Sequence, residues 1–443
     1  MAGEATQTND ATGATGPTGS TGGAGAAEPD ASGAARRLQE RLASLSPSQR
    51  AVLEKQLRER GQKAPEEVGG GERERTAKAA VPRRSRRADS RMDFSLFFFS
   101  GDGTAAGPGK YQLLLDSARF ADRNGFSGIS VPERHFVDFG GLYPNPSVLA
   151  AALAMVTERI QLRAGSTVLP LHHPVRSAEE WAVVDNLSGG RAAISAASGW
   201  HPDDFVLAPG DGQARYPHRK EEMFDAIDTI RRLWAGDSVE VPRTDGSTQR
   251  VRSLPRPIQA ELPVWVSAQG SPETFVRAGE IGANLLTGLV AQRPADLKEK
   301  TAAYREARAK AGHDPDTGIV TAMVHTFLWP DEEEARELVR GPLTGYLKTF
   351  LAQQDNIGGE FSQLGEEGQE AMLNATFARY FDSLALLGTP DKCESLIEDM
   401  VDIGVNEVAC LVDFGLEPDV VLKGLEHLTE LKDRYRSAEG RQS

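Results

Sequence analysis

Residues 128–169, "GISVPERHFVDFGGLYPNPSVLAAALAMVTERIQLRAGSTVL", read as one strand, loop, helix and strand in succession. "GISV" (128–131) and "IQLRAGSTVL" (160–169) are apolar runs, and "PSVLAAALAMVTE" between them has amphipathic helical character. Strands this continuously apolar belong to a parallel sheet covered on both faces. After the first strand the chain turns ionisable within three residues, at Glu133, Arg134 and His135, then passes through Gly140-Gly141 to a Pro-x-Pro. Three such groups at a strand mouth either meet water or build a site, and the rest of the chain decides between these.

The same unit recurs on both sides. "DFSLFFF" (93–99), "RAAISAA" (191–197), "PVWVSA" (263–268), "ANLLTGL" (283–289), "IVTAMVHTFLW" (319–329) and "VNEVACLV" (405–412) bring the strands to eight. Amphipathic helices lie between them, most ending at a Gly or Asn-Gly stop. Eight βα units predict an α/β protein of the (β/α)8 barrel class, a TIM barrel over 92–436. A doubly wound open sheet is the alternative, but its G-x-G-x-x-G is missing: "SGDGTAAGPG" (100–109) has the glycines without the spacing. Two insertions are expected: 239–255, where Asp245-Gly246 signals a hairpin, and 355–383, a helical excursion or lid.

Residues 1–35 are nearly all Gly, Ala, Thr, Ser, Asp and Pro and cannot bury enough apolar surface to offset their ordering entropy, so a disordered tail is expected. Leu38, Leu42, Leu45 and Val52, Leu53, Leu57 then recur at helical spacing around Ser46-Pro47, predicting a short helical hairpin over 36–62. Residues 63–91, with "RRSRR" at 83–87, read as a basic flexible linker, and 437–443 as a tail.

Counted over 1–91, 16 Lys and Arg face 12 Asp and Glu, against 50 and 64 in the whole chain, so the remainder carries a net charge of −18. An acidic folded part argues against nucleic acid as a partner. No stretch has the apolar length of a signal peptide core or a membrane span, which predicts a soluble cytoplasmic protein. The two cysteines, Cys393 and Cys410, form no Cys-x-x-Cys and lack metal-ligand spacing, so neither a disulfide framework nor a metal is expected.

Barrel chemistry sits at the C-terminal ends of strands. Glu133, Arg134 and His135 follow strand two, "STVLPLHHPVR" surrounds the end of strand three, "SGWHPDD" follows strand four and "AQGSPET" follows strand five. In "QGSPET", Pro272 suits a first helical position, so the turn at Gly270 and Ser271 aims free N–H groups and a helix N-terminus at one point, as a phosphate cradle does. An ordinary turn capped by Ser271 has the same sequence.

In order, "ERHFVDFGGLYPNP", "VLPLHHPVR", "LSGGRAAISAASGW" and "PVWVSAQGS" resemble the bacterial luciferase-like, flavin-dependent monooxygenases. "PERHF" is most similar to the branch found in nonribosomal peptide and polyketide gene clusters. The arm's "LSPSQRAVLEKQL" resembles the linker helices before condensation domains of peptide synthetases. The resemblance implies a barrel that holds reduced FMN at its strand ends and reacts it with O2 to a C4a-peroxyflavin, without a reductase domain of its own. It places Gly165 and Ser166, where such enzymes often have an unusual peptide bond, along the isoalloxazine. Ser198, Gly199 and Trp200 fall near the ribityl chain and phosphate, and Gln269, Gly270, Ser271 and Thr274 supply further phosphate contacts.

One departure matters. The luciferases proper read Glu-His-His-Phe where this chain reads Glu133-Arg134-His135-Phe136, and an Arg removes no proton at neutral pH. Arg134 is left to pair a carboxylate, a carrier-linked phosphate or a peroxide anion, with His135 or His173 for proton transfer. Light emission is not implied. Expected partners are a separate flavin reductase, a carrier protein or synthetase module met through the arm, and a second copy in a homodimer; no membrane is expected. An F420-dependent oxidoreductase of the same superfamily, and a non-catalytic flavin-binding or assembly subunit, are the alternatives.

Overall fold

A computed structural model describes residues 92–99, 107–289, 292–354 and 361–435. The expectations for 1–35, 36–62, 63–91 and 437–443 lie outside the described residues, as do 355–360 of the second insertion.

The strands are β1 (Asp93–Phe97), β2 (Gly128–Val131), β3 (Gln161–Val168), β4 (Ala192–Ala197), β5 (Val239–Pro242), β6 (Thr248–Val251), β7 (Val264–Ser267), β8 (Asn284–Gly288), β9 (Val320–Leu328), β10 (Leu386–Gly388) and β11 (Glu407–Leu411). Eight of them close a parallel ring in the order β1-β2-β3-β4-β7-β8-β9-β11. The pairings of β8 with β9 and of β11 with β1 complete the barrel and exclude an open sheet. These eight are the eight apolar runs of the sequence. Of the others, β5 and β6 form an antiparallel hairpin, and β10 pairs outside the ring with the end of β9.

The longer helices are α1 (Gln112–Arg123), α2 (Pro146–Ala154), α3 (Pro174–Ser188), α4 (Arg219–Ala235), α5 (Pro272–Glu280), α6 (Pro294–Lys310), α7 (Glu332–Gln354), α8 (Glu366–Arg379), α9 (Pro390–Ile403) and α10 (Pro418–Arg434). Six of them begin at a proline. Its missing N–H costs nothing in a first turn, so each loop leaving a strand end stops there.

The N-terminal half of the barrel interior is plugged by charge. The Arg163 guanidinium meets the Glu407 carboxylate at 2.6 Å and lies 4.4 Å from the Trp265 ring centre. Thr321 Oγ1 donates to Glu407 at 2.7 Å, the Ser127 hydroxyl donates to its other oxygen, and Trp265 Nε1 donates to Thr321. Burial pushes the Glu407 carboxyl up, but Arg163 and the two hydroxyls outweigh it and hold it ionised.

Candidate active site

Gly165 lies inside the ring, where a Cβ would stand 2.7 Å from the Ser130 Cβ and 2.8 Å from the Phe97 ring, so no larger residue fits. The peptide bond between Gly165 and Ser166 is cis, and the register between β3 and β4 shifts there.

At the end of β2, Glu133 is buried and fully used. Its Oε2 accepts from the Val168 amide at 2.7 Å and from Thr167 Oγ1 at 3.1 Å, while Oε1 faces His172 Nε2 at 2.6 Å and His135 Nε2 at 2.9 Å. Burial pushes this carboxyl up, but the two imidazole hydrogen bonds, the His172 charge and the Val168 amide hold it down to about 2. At neutral pH it therefore only accepts, so both imidazoles donate from Nε2. In the neutral form each His then carries its basic lone pair on Nδ1. Burial lowers the affinity of His172 for a proton, but the Glu133 carboxylate outweighs burial and raises its pKa.

Of the histidines expected to move protons, His135 is in this cluster and His173 is not. His173 is exposed, its Nδ1 accepting from the Val175 amide at 3.3 Å as the N-cap of α3, and it borders a surface hollow of about 540 Å³ with the β5–β6 hairpin. His172 holds the place instead. Both stand in "LHHP", and a one-residue shift in where the helix starts decides which of them caps.

Arg134 is only 4 % exposed. Its Cζ lies 4.8 Å from the Trp200 ring centre and 5.6 Å from that of Phe99, and its Nη2 donates to Gln353 Oε1 at 2.7 Å. Gly140, at φ +82°, lets the loop close over the Arg134 stem: a Cβ there would stand 2.8 Å from Arg134 Cγ. The loop is further tied by Tyr143, whose carbonyl accepts from the Arg134 amide and whose hydroxyl donates to Asp413. Arg134 thereby joins the end of β2 to Trp200 beyond β4.

Ser198 and Gly199 continue from β4. The Gly199 carbonyl accepts from Arg219 Nε at 3.0 Å and the Trp200 carbonyl from the Tyr216 hydroxyl at 3.1 Å. Beside Arg219, Lys220 reaches across to Ser271 Oγ at 3.5 Å. Ser271 is the N-cap of α5 but makes no capping bond with its side chain, so its hydroxyl is not spent on the turn. Gln269 and Gly270 are exposed beside it, Thr274 is buried in the first turn, and Lys300 Nζ lies 3.5 Å from the Gln269 carbonyl. Lys220 and Lys300, the latter also donating to Gln292 Oε1 at 2.9 Å, thus stand beside the N-terminus of α5, an arrangement suited to a phosphate. The sequence reading missed both. Neither carries a signal in the sequence, since Glu221 and Glu222 follow Lys220 in the first turn of α4 and balance it there.

His325, near the end of β9, was also missed. It is buried, neither ring nitrogen has a hydrogen-bond partner, and burial pushes it down to about 3. Among the described residues no group of His, Cys, Asp and Glu is placed to hold a metal ion. Cys393 and Cys410 are buried and free, and no described helix is long and apolar enough to cross a membrane.

The closed parallel barrel is shared with known proteins. The luciferase-like monooxygenase pattern matches residues 92–407, and the chain belongs to that family. It is 28 % identical over 228 residues to the oxygenase component of a flavin-dependent trigonelline monooxygenase of Acinetobacter baylyi, covering 51 % of this chain and 61 % of that protein. The chain thus spans about three fifths of that relative's length. Among solved structures, it resembles the oxygenating constituent of 3,6-diketocamphane monooxygenase of Pseudomonas putida, a type II Baeyer-Villiger monooxygenase in complex with FMN. The TM-score is 0.65 at 18 % identity, covering 78 % of this chain and 99 % of that one. An F420-dependent secondary alcohol dehydrogenase gives 0.58 at 19 %, covering 78 % and 100 %, so the fold serves both cofactors.

Proposed function

We propose that this chain is the oxygenase component of a two-component system: it takes reduced FMN from a separate flavin reductase and uses O2 to oxygenate an organic substrate. The observation that carries the reading is one mouth with two differently built ends. At one end, the Ser271 turn, Lys220 and Lys300 form a cradle for the FMN phosphate; at the other, Glu133 fixes two imidazoles. Reduced FMN supplies the electrons and the place where O2 reacts. His135 and His172, with Nε2 held by Glu133, give and take protons through Nδ1. Gly165 and Ser166, at the cis bond of β3, and Trp200, against Arg134, are the residues the flavin ring would meet between these ends.

The finer reading is a cytoplasmic homodimer in natural-product biosynthesis, its substrate delivered on a carrier protein met through the N-terminal arm. It is supported by "PERHF" and by "LSPSQRAVLEKQL". Hydride transfer with F420 is the second reading, favoured by the F420-dependent neighbour.

Anaerobic titration with reduced FMN and with reduced F420, followed by admission of O2, tests the proposal. Tight binding of reduced FMN and its reoxidation on the protein are expected. Binding of F420 alone, inert to O2, would replace this reading with the second.

A further inference from the structure

Arg134 carries a permanent charge that the Asp204 carboxylate feels, yet among the described residues no carboxylate lies within ion-pair distance of it, and its buried Nε has no hydrogen-bond partner. A buried charge left unpaired is costly, and such a charge in a binding mouth is neutralised by what binds there. Trp200 and Phe99 lie against the guanidinium. Its free N–H groups lie in its own plane, which matches a planar carboxylate.

We propose that Arg134 binds a carboxylate of the organic substrate, and that the aromatic wall running from Phe99 through Phe139 and Tyr346 to His325 carries the rest of that molecule. The assignment rests on the oxygenase reading above. The wall is continuous: ring centres are 5.5 Å apart from Phe99 to Phe139, 4.9 Å from Phe139 to Tyr346 and 4.6 Å from Tyr346 to His325. It ends at the buried His325, whose ring also packs on Tyr380 and Phe414 and whose two nitrogens have no hydrogen-bond partner.

A monoanion suits this place better than a dianion. The carboxyls of Asp204 and Glu133 lie close enough to act on each other's charge, so a dianion would meet repulsion beside Arg134. A phosphate has its own place at Lys220 and Ser271. A carrier thioester bears no charge, so the carboxylate is a separate function of the substrate, whether that substrate is free or tethered.

The test is calorimetric titration of the full chain with benzoate and with benzamide, each with and without bound FMN. Benzoate should bind at least about tenfold tighter than benzamide, Arg134→Gln should abolish the preference, and Arg134→Lys should restore it only in part. Absence of benzoate binding, equal binding of the two probes, or a preference that survives Arg134→Gln would overturn the proposal. So would a selective loss of FMN over riboflavin in Arg134→Gln, since the anion would then be the flavin's phosphate. Failure of the wild-type chain to bind FMN would sink the oxygenase reading, while the benzoate preference measured without FMN would stand or fall separately.

Discussion

His172 Nε2 lies 2.6 Å from Glu133 Oε1, and this contact fixes which nitrogen of His172 is free for chemistry. Its neighbour His173 is turned away to cap α3. His172→Ala and His135→Ala should therefore each lower substrate oxygenation by about 10²-fold, the scale of a positioned proton donor or acceptor, with more H2O2 released. His173→Ala should leave turnover near wild type. Turnover and H2O2 yield measured side by side in the three variants decide the assignment, and equal losses at 172 and 173 would refute it.

The same carboxylate predicts a response to acid. The Glu133 pKa falls from an ordinary 4.5 to about 2 in the folded chain, so its contribution to stability is complete above 4.5 and is lost as pH falls toward 2. The raised pKa of His172 acts oppositely: its share is complete below the ordinary 6.5 and is lost as pH rises through the folded value. Glu133→Gln should thus melt earlier than wild type near neutral pH, and the gap should close on acidification. Parallel Tm profiles across that range would contradict the linkage.

The plug at the other end of the barrel gives a prediction about stability. Arg163→Met leaves Glu407 buried without its partner and should cost about 3–5 kcal/mol, whereas Arg163→Met with Glu407→Leu should recover most of the loss. Denaturant unfolding of both variants checks this, and a double variant no more stable than the single one would show that the pair does not act as a unit.

The barrel was legible because period and composition act along the chain: each barrel strand is a continuous apolar run, and proline and glycine mark the helix boundaries. The site was legible only in part. Glu133, Arg134 and His135 stand out as ionisable groups at a strand end, and Ser271 as the turn before a helix. His172 and His173 are adjacent and chemically identical, and only the direction of the α3 start separates them. Lys220 and Lys300 reach the Ser271 turn from helices remote in sequence, and His325 sits within the apolar run "VTAMVHTFL", where nothing local tells an unpartnered imidazole from a hydrogen-bonded one. The expectations for the N-terminal arm concern residues outside the described structure.

Val148 on α2, Met155 at its end, and Val183 and Leu187 on α3 are exposed apolar side chains on helices that pack together. These helices are where the proposed homodimer would form its contact. Light scattering should give a dimer for the wild-type chain and a monomer for Met155→Glu with Leu187→Glu. A monomeric wild type would remove the homodimer from the proposal.

In the proposed function the strand-end mouth is an FMN site with its phosphate at the start of α5. The most direct measurement is the affinity of Ser271→Asp for FMN and for riboflavin, compared with wild type. The introduced carboxylate faces a phosphate dianion in the same amide turn, so FMN should bind at least about tenfold more weakly while riboflavin changes little. Equal losses for the two ligands, or none for either, would place the phosphate elsewhere and contradict the account.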